Sequence, residues 1–83
     1  MKKIIMICLL LGSTMIMAEG RLNIVTGLEK AVISIDGKEV GKNYVESYPL
    51  HAGDHYVRIV KDGHLMYAKM VTIYDNELTT ITS

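Results

Sequence analysis

Two Asp-Gly dipeptides, each preceded by alternating apolar and polar residues, constrain the fold of this chain more than any other feature of its sequence. Asp36-Gly37 follows residues 31–35, and Asp62-Gly63 follows residues 55–60. Alternation with a period of two is the pattern of a half-buried strand. Asp and Gly tolerate the positive φ angles of a type I′ turn, which joins adjacent antiparallel strands. The sequence therefore predicts two tight β-hairpins.

The remaining segments also favour extended structure. The run 50–53 is predicted as a turn after Pro49, which lacks an N–H and belongs at a sheet edge or a strand end. Turn signals recur about every 8–12 residues, which is typical of a sandwich. We therefore predict an all-β fold, a small antiparallel β-sandwich of six or seven short strands. The other predicted strand segments are 21–24, 38–40, 43–48, 64–74 and 78–81.

The first residues have the layout of a secretory signal peptide. Lys2 and Lys3 precede the apolar run 4–17, and the small residue Ala18 stands before Glu19. This run is shorter than the about 20 apolar residues that cross a bilayer. We predict a signal peptide over residues 1–18 and one domain over residues 19–83, exported to the periplasm or secreted, with no stable membrane span after cleavage.

Composition then limits the domain. The chain has 83 residues with nine basic and nine acidic side chains, and its single cysteine, Cys8, lies in the predicted leader. A domain of this size without disulfides must rely on packing or on a partner. The balanced charge and the absence of Trp and Phe argue against a nucleic-acid partner.

The order and spacing of the turns and strands resemble the PEGA domain, a family of small β-sandwich modules in bacterial and archaeal envelope and secreted proteins. The resemblance rests on residues 31–37 followed by Gly41-Lys42, and on Leu50, Gly53, His55 and Val57. Gly63 and residues 71–73 complete it. The resemblance implies an accessory envelope module, for which an association with carbohydrate or a surface polymer has been suggested.

One departure from the family pattern affects the backbone. The family's Pro-Glu-Gly-Ala run is replaced by Leu28-Glu29-Lys30-Ala31, so that Lys30 stands where the pattern has glycine. A Cβ atom is costly at positive φ. The sequence therefore argues against a left-handed conformation at Lys30.

No set of residues predicts an enzyme or a cofactor site. Ser34 and Ser47 lie in predicted strands without a neighbouring histidine, and the glycines are dispersed among turns. Asp36 and Asp62 directly precede glycine, so hydrogen bonds to the turn backbone explain them better than acid–base chemistry. We predict no catalytic residue and no cofactor, and a hydrolase would need Asp54 to meet a histidine in a cleft.

The three histidines leave one alternative function open. His51, His55 and His64 could hold zinc or copper if they converged. His55, however, shares the inward register of Val57 and Ile59, and the PEGA resemblance places a recurrent histidine there. We interpret it as a structural histidine bonded to a loop backbone. A small periplasmic metal-binding protein is the alternative prediction.

Possible contact residues lie on two strands. Tyr56 and Arg58 have the opposite parity to His55 and should face outward, where they offer an aromatic ring and a cation to a ligand. The run 65–68 is apolar on both faces, which indicates burial, a bulge that shifts the register, or an exposed pairing edge. We select Tyr56, Arg58, Met66 and Tyr67 as contact candidates.

These observations predict a non-enzymatic binding or structural module of the cell envelope. Its expected partner is an envelope protein or a surface carbohydrate. A homo-oligomer could form through an exposed strand edge.

Overall fold

A computed structural model describes residues 18–83 of the chain, and residues 1–17 of the predicted leader lie outside the described part. Within residues 18–83 all regular structure is strand, as the alternating pattern predicted. The elements are β1 (Glu19–Val25), β2 (Val32–Ile35), β3 (Lys38–Lys42), β4 (Tyr44–His51), β5 (Gly53–Lys61), β6 (His64–Ile73) and β7 (Leu78–Thr82).

Both Asp-Gly dipeptides form the predicted hairpin turns. Asp36 and Gly37 have φ angles of 53° and 84°, and Asp62 and Gly63 have 52° and 77°. Positive φ at both central residues is the signature of the type I′ turn. The first turn joins β2 to β3 and the second joins β5 to β6, each pair antiparallel. The strand β3 continues through Gly41 to Lys42, two residues beyond the predicted end.

The strands form two sheets, and the chain crosses between them repeatedly. One sheet has the order β4-β1-β7 and the other the order β3-β2-β5-β6. Only the two Asp-Gly hairpins join strands within a sheet. The prediction of purely antiparallel neighbours was wrong in one place, because β7 runs parallel to β1. A parallel pair needs a long connection, and here β2 to β6 supply it.

The core lies between the two sheets. It consists of alternate side chains from β1, β2, β5 and the ends of β6 and β7, so that each sheet contributes its apolar face. The fully buried large side chains are Leu22, Ile24, Ile33, Val57, Ile59 and Ile73. Every buried apolar side chain among the described residues falls within 22–81. These buried side chains form one cluster within residues 19–83.

The turn predicted at residues 50–53 is instead mostly strand. β4 extends to His51 and β5 begins at Gly53, leaving Ala52 alone between them. The two strands belong to different sheets, so the chain changes sheet here rather than folding back on itself. Pro49 lies on β4 opposite Arg21, at the edge of its sheet, which confirms the expected edge position.

Two β-bulges explain apolar residues that break the alternation. Val45 pairs with Ile24 and Tyr48 pairs with Leu22, so both face the core although they are three residues apart. The extra residue lies around Ser47, which has a φ of 51°. A second bulge in β6 places Leu65 opposite Val60, and this confirms the predicted register shift in the run 65–68.

Lys30 adopts the left-handed conformation that its side chain argued against, with a φ of 61°. The turn is held by a hydrogen bond from the Ala31 amide to the Leu28 carbonyl, with N and O 3.4 Å apart. Because Ala31 is fully buried directly after the turn, the core fixes the backbone here and Lys30 bears the conformational cost.

We expect Lys30→Gly to raise the free energy of unfolding by about 0.5–1 kcal/mol, since glycine has no Cβ penalty at positive φ but loses more entropy on folding. Denaturant titration measures the change. Lys30→Ala is the control, because it removes the charge and keeps the Cβ. An equal gain from both variants would contradict the conformational explanation.

Candidate interaction surface

The outer face of the four-stranded sheet carries an exposed group of apolar residues around one arginine. Cross-strand partners share a face, and Tyr56 lies opposite Met70 while Arg58 lies opposite Ala68. Tyr56 is 40% exposed and Met70 is 60% exposed. We call this surface the outer face; its members are Val32, Ser34, Glu39, Lys42, Asp54, Tyr56, Arg58, Val60, Leu65, Ala68, Met70 and Thr72.

Arg58 stands in the middle of the outer face. Its neighbours across the strands are Ser34 on β2 and Ala68 on β6. Among the described residues its guanidinium takes part in no salt bridge, since the one pair found there joins His55 to Asp36. The exposed Arg58 offers a partner a fork of N–H donors, with apolar side chains on its β6 side and Ser34 and Glu39 on its β2–β3 side.

The four contact candidates do not all lie together. Tyr56 and Arg58 share the outer face, as predicted from their parity. Met66, 49% exposed, is the extra residue of the β6 bulge. Tyr67 lies opposite Ile59 and packs against the core, so the bulge turns it away from the outer face.

Met70 lies opposite Tyr56 on the outer face, at the end of the stretch 65–70 that was a predicted contact with an envelope protein. Counting back from the buried Ile73 with a period of two would have placed Met70 outward and Tyr67 inward. The bulge then explains why Leu65 also points outward.

The side chain of His55, near the start of β5, lies between two hydrogen-bond acceptors. Its Nδ1 lies 2.6 Å from Oδ2 of Asp36, and its Nε2 lies 2.7 Å from the carbonyl oxygen of His51. The second contact is a bond to the backbone, as predicted, but its acceptor is the last residue of β4 and not a loop residue. The other carboxylate oxygen of Asp36 accepts the Tyr56 amide at 2.9 Å. Asp36 therefore bonds to two residues of β5. The predicted hydrogen bond from its side chain to the backbone of its own turn is not what the structure shows.

The geometry favours the doubly protonated form of His55, because an ionised carboxylate and a carbonyl can only accept. Burial by itself lowers the pKa of His55, but the hydrogen bonds to Asp36 and His51, with the charges of Asp36 and Asp54, outweigh it and raise the pKa above 6.5. The His55 hydrogen bond, helped by the Tyr56 amide, lowers the pKa of Asp36 below 3.8. A ring with both nitrogens donating cannot serve as a general base.

We expect Asp36→Asn to lower the free energy of unfolding by at most about 1 kcal/mol, since the carboxyl is half exposed and solvent weakens the pair. The His55 pKa is raised on folding, so its contribution is complete below pH 6.5 and declines as the pH rises through the raised value. The Asp36 pKa is lowered, so its contribution is complete above pH 3.8 and declines as the pH falls. The loss of stability in Asp36→Asn should therefore be largest between pH 3.8 and pH 6.5.

Urea unfolding at pH 5 and pH 9 tests this prediction. Asp62→Asn, the same change in the other Asp-Gly turn, is the matched control. Asparagine tolerates positive φ, so neither turn is strained by the substitution. Identical pH profiles for the two variants would contradict the His55–Asp36 pair.

The histidines do not form a metal site in the structure. No group of three His, Cys, Asp or Glu side chains within residues 18–83 lies close enough to hold a metal ion. His55 is engaged at both nitrogens, and His64 lies opposite Lys61 at the far end of β5. Six residues of strand correspond to roughly 20 Å. The geometry of the described residues gives the alternative metal-binding function no support.

Residues 18–83 form a small all-β module of two sheets with an exposed outer face on the four-stranded sheet. The model of the PEGA domain family matches residues 19–83, which is the whole domain. The chain belongs to the PEGA domain family. Searches of curated proteins and of solved structures give no significant match. In the described residues there is no helix of the length and hydropathy that spanning a membrane requires.

Proposed function

We propose that this chain is a non-enzymatic module of the cell envelope, exported to the periplasm or secreted, that binds a partner protein through its outer face. The observation that carries the proposal is the exposed Arg58 with Tyr56 and Met70 beside it. Tyrosine, methionine and arginine are the residue types enriched where proteins bind each other. Membership of a family whose domains occur in exported proteins supports the location.

The chemistry of the face favours a protein over a sugar polymer. The exposed Leu65 and Met70 are an aliphatic and a thioether side chain, which suit an apolar protein surface better than a sugar ring, and Tyr56, Asp54 and Thr72 lie beside them on the same face. The matching partner surface presents apolar side chains around a carboxylate that receives Arg58. Within residues 18–83, β6 is an edge strand of this sheet, so a partner strand could also pair with its backbone.

A site-specific crosslink in living cells identifies the partner. A photo-reactive residue replaces Met70 on the outer face, or Leu78 on the other sheet, where it is similarly exposed at 56%. We expect a discrete protein adduct from position 70 and none of the same mass from position 78. Adducts of equal yield from both positions would contradict binding through the outer face.

Purified partner then allows the affinity to be measured. We expect Arg58→Glu to weaken binding about tenfold or more, since it reverses the charge at the centre of the face. Tyr56→Ala should weaken it by a similar factor. Tyr44→Ala is the matched control, because Tyr44 is 62% exposed on the other sheet. Affinity unchanged by both outer-face variants would refute the proposal.

A glycan array and a peptidoglycan pull-down with the same variants test the alternative partner class. Binding to a glycan that is lost in Tyr56→Ala and retained in Tyr44→Ala, without any protein adduct from position 70, would replace the protein partner by a surface polymer.

A further inference from the structure

The start of β1 is held by the turn between β6 and β7. The Glu19 amide donates to Oδ1 of Asp75 at 3.0 Å, and the Glu19 carbonyl accepts the Asn76 amide at 2.8 Å. The Arg21 amide donates to the Glu77 carbonyl at 2.9 Å. Three hydrogen bonds thus fix the backbone of β1 from its first residue, and one of them ends on a carboxylate.

We propose that Asp75 is the binding site for the α-ammonium group formed at Glu19 when the leader is removed after Ala18. The inference rests on the export in the proposed function. Hydrolysis consumes one water molecule and breaks the amide bond between Ala18 and Glu19. The hydroxyl goes to the Ala18 carbonyl carbon, giving a carboxylate there, and the nitrogen of Glu19 leaves as an amine that is protonated at neutral pH.

Cleavage changes the chemistry of one hydrogen bond while its geometry is already in place. Before cleavage the Glu19 nitrogen is a neutral amide with one proton, and after cleavage it is an ammonium with three. A charge-assisted bond to a carboxylate is shorter and stronger than a bond from a neutral donor. The Asn76 amide donates to the Glu19 carbonyl. This bond keeps the Glu19 nitrogen within reach of Asp75 after the peptide bond to Ala18 has been broken.

Losing Ala18 removes little else from the domain. The Ala18 carbonyl accepts the Ala52 amide at 3.0 Å, and both residues are exposed, so water can replace this bond. The match to the family begins at Glu19, which independently places the edge of the domain at the same residue.

Two further acidic residues lie near the new terminus. Glu19 and Glu77 both line a cleft beside Asn76. Arg21 also lines it, but its guanidinium donates to the Ser47 carbonyl at 3.0 Å and is directed away. His51 lies opposite Glu19 on β4.

A two-by-two comparison tests the pairing on the domain, whose buried apolar side chains form one cluster. One chain begins at Glu19 with a free amine and the other carries an acetylated Glu19; each is made with Asp75 and with Asp75→Asn. At pH 6.5 we expect Asp75→Asn to lower the Tm of the free-amine chain by about 2–6 °C, and that of the acetylated chain by less than half as much.

The pH dependence of the Tm loss caused by Asp75→Asn provides a second test. An α-amino group ordinarily titrates at about pH 8, and pairing raises that value in the folded state. The extra stability is therefore complete below about pH 8 and should be lost as the pH rises further. A Tm loss from Asp75→Asn that is equal in both chains, or that persists unchanged at pH 10, would overturn the pairing.

Intact mass of the chain exported from its full-length precursor identifies the natural terminus. A mature chain beginning at Glu19 supports the inference. An exported chain that begins elsewhere overturns the inference and leaves the proposed location standing. An unprocessed chain that remains in the cytoplasm overturns both, whatever the outer face binds.

Discussion

Gly20→Ala is expected to lower the free energy of unfolding by about 2–3 kcal/mol, because a side chain at this position has no room. Gly20 is buried in β1, and a Cβ atom there would overlap the carbonyl oxygen of Tyr74. It would also lie 2.7 Å from Cγ2 of Ile73 and 3.0 Å from the carbonyl oxygen of Glu77. Two of these three atoms belong to the backbone, so the β6–β7 turn would have to move away from β1.

Chemical denaturation of the purified domain measures this loss. Gly41→Ala is the matched control, since Gly20 and Gly41 both lack a positive φ. A Cβ at Gly41 would meet the Tyr44 carbonyl and the Val45 side chain at 3.2 Å, a contact that small shifts relieve. We expect Gly41→Ala to cost less than half as much. Equal stability of Gly20→Ala and the parent chain would show that β1 and the turn are not packed this closely.

Thr26→Val should destabilise the domain by about 2 kcal/mol, although the two side chains have nearly the same shape. Thr26 is the one buried polar residue among those described, with 3% exposure. Its hydroxyl donates to the Asn43 carbonyl at 2.8 Å and accepts the Leu28 amide at 3.0 Å. Valine would leave the Leu28 amide without this acceptor, and the Asn43 carbonyl would keep only the amide of residue 26 as a donor, at 3.2 Å. An unpaired buried group costs about 1–3 kcal/mol.

Thr26→Ser separates the hydroxyl from the methyl group. Serine keeps both hydrogen bonds and loses only the methyl contacts, so we expect its cost to be about half that of valine or less. Equilibrium urea unfolding of the two variants gives the comparison. A more stable valine variant would mean that water satisfies Leu28 and Asn43 in place of Thr26.

The strands and both hairpins could be predicted from the sequence, because each of these structures depends on residues that are neighbours in the chain. Asp36-Gly37 and Asp62-Gly63 predict their turns locally, because Asp and Gly tolerate the positive φ angles that a type I′ turn requires. The assignment of strands to sheets does not depend on such neighbours. Nothing near residues 50–53 indicates that β4 and β5 belong to different layers, and the turn prediction failed there for that reason.

The candidate surface was predicted in part for the same reason. Parity placed Tyr56 and Arg58 correctly, because β5 is regular up to Ile59. The bulge in β6 then changes the parity of Leu65 relative to Tyr67, and the position of a bulge depends on pairing across the sheet. The bond from Asp36 to His55 was missed because it joins a turn to a strand 19 positions away.

The position of β1 between β4 and β7 has a consequence for how the domain matures. The first strand to be synthesised acquires its second neighbour only when the last five-residue strand, β7, is available. Contacts between such distant parts of a chain form slowly, since the loop between them must close first. The pairing of β1 with β7 should therefore form late in folding, after all the strands between them are available.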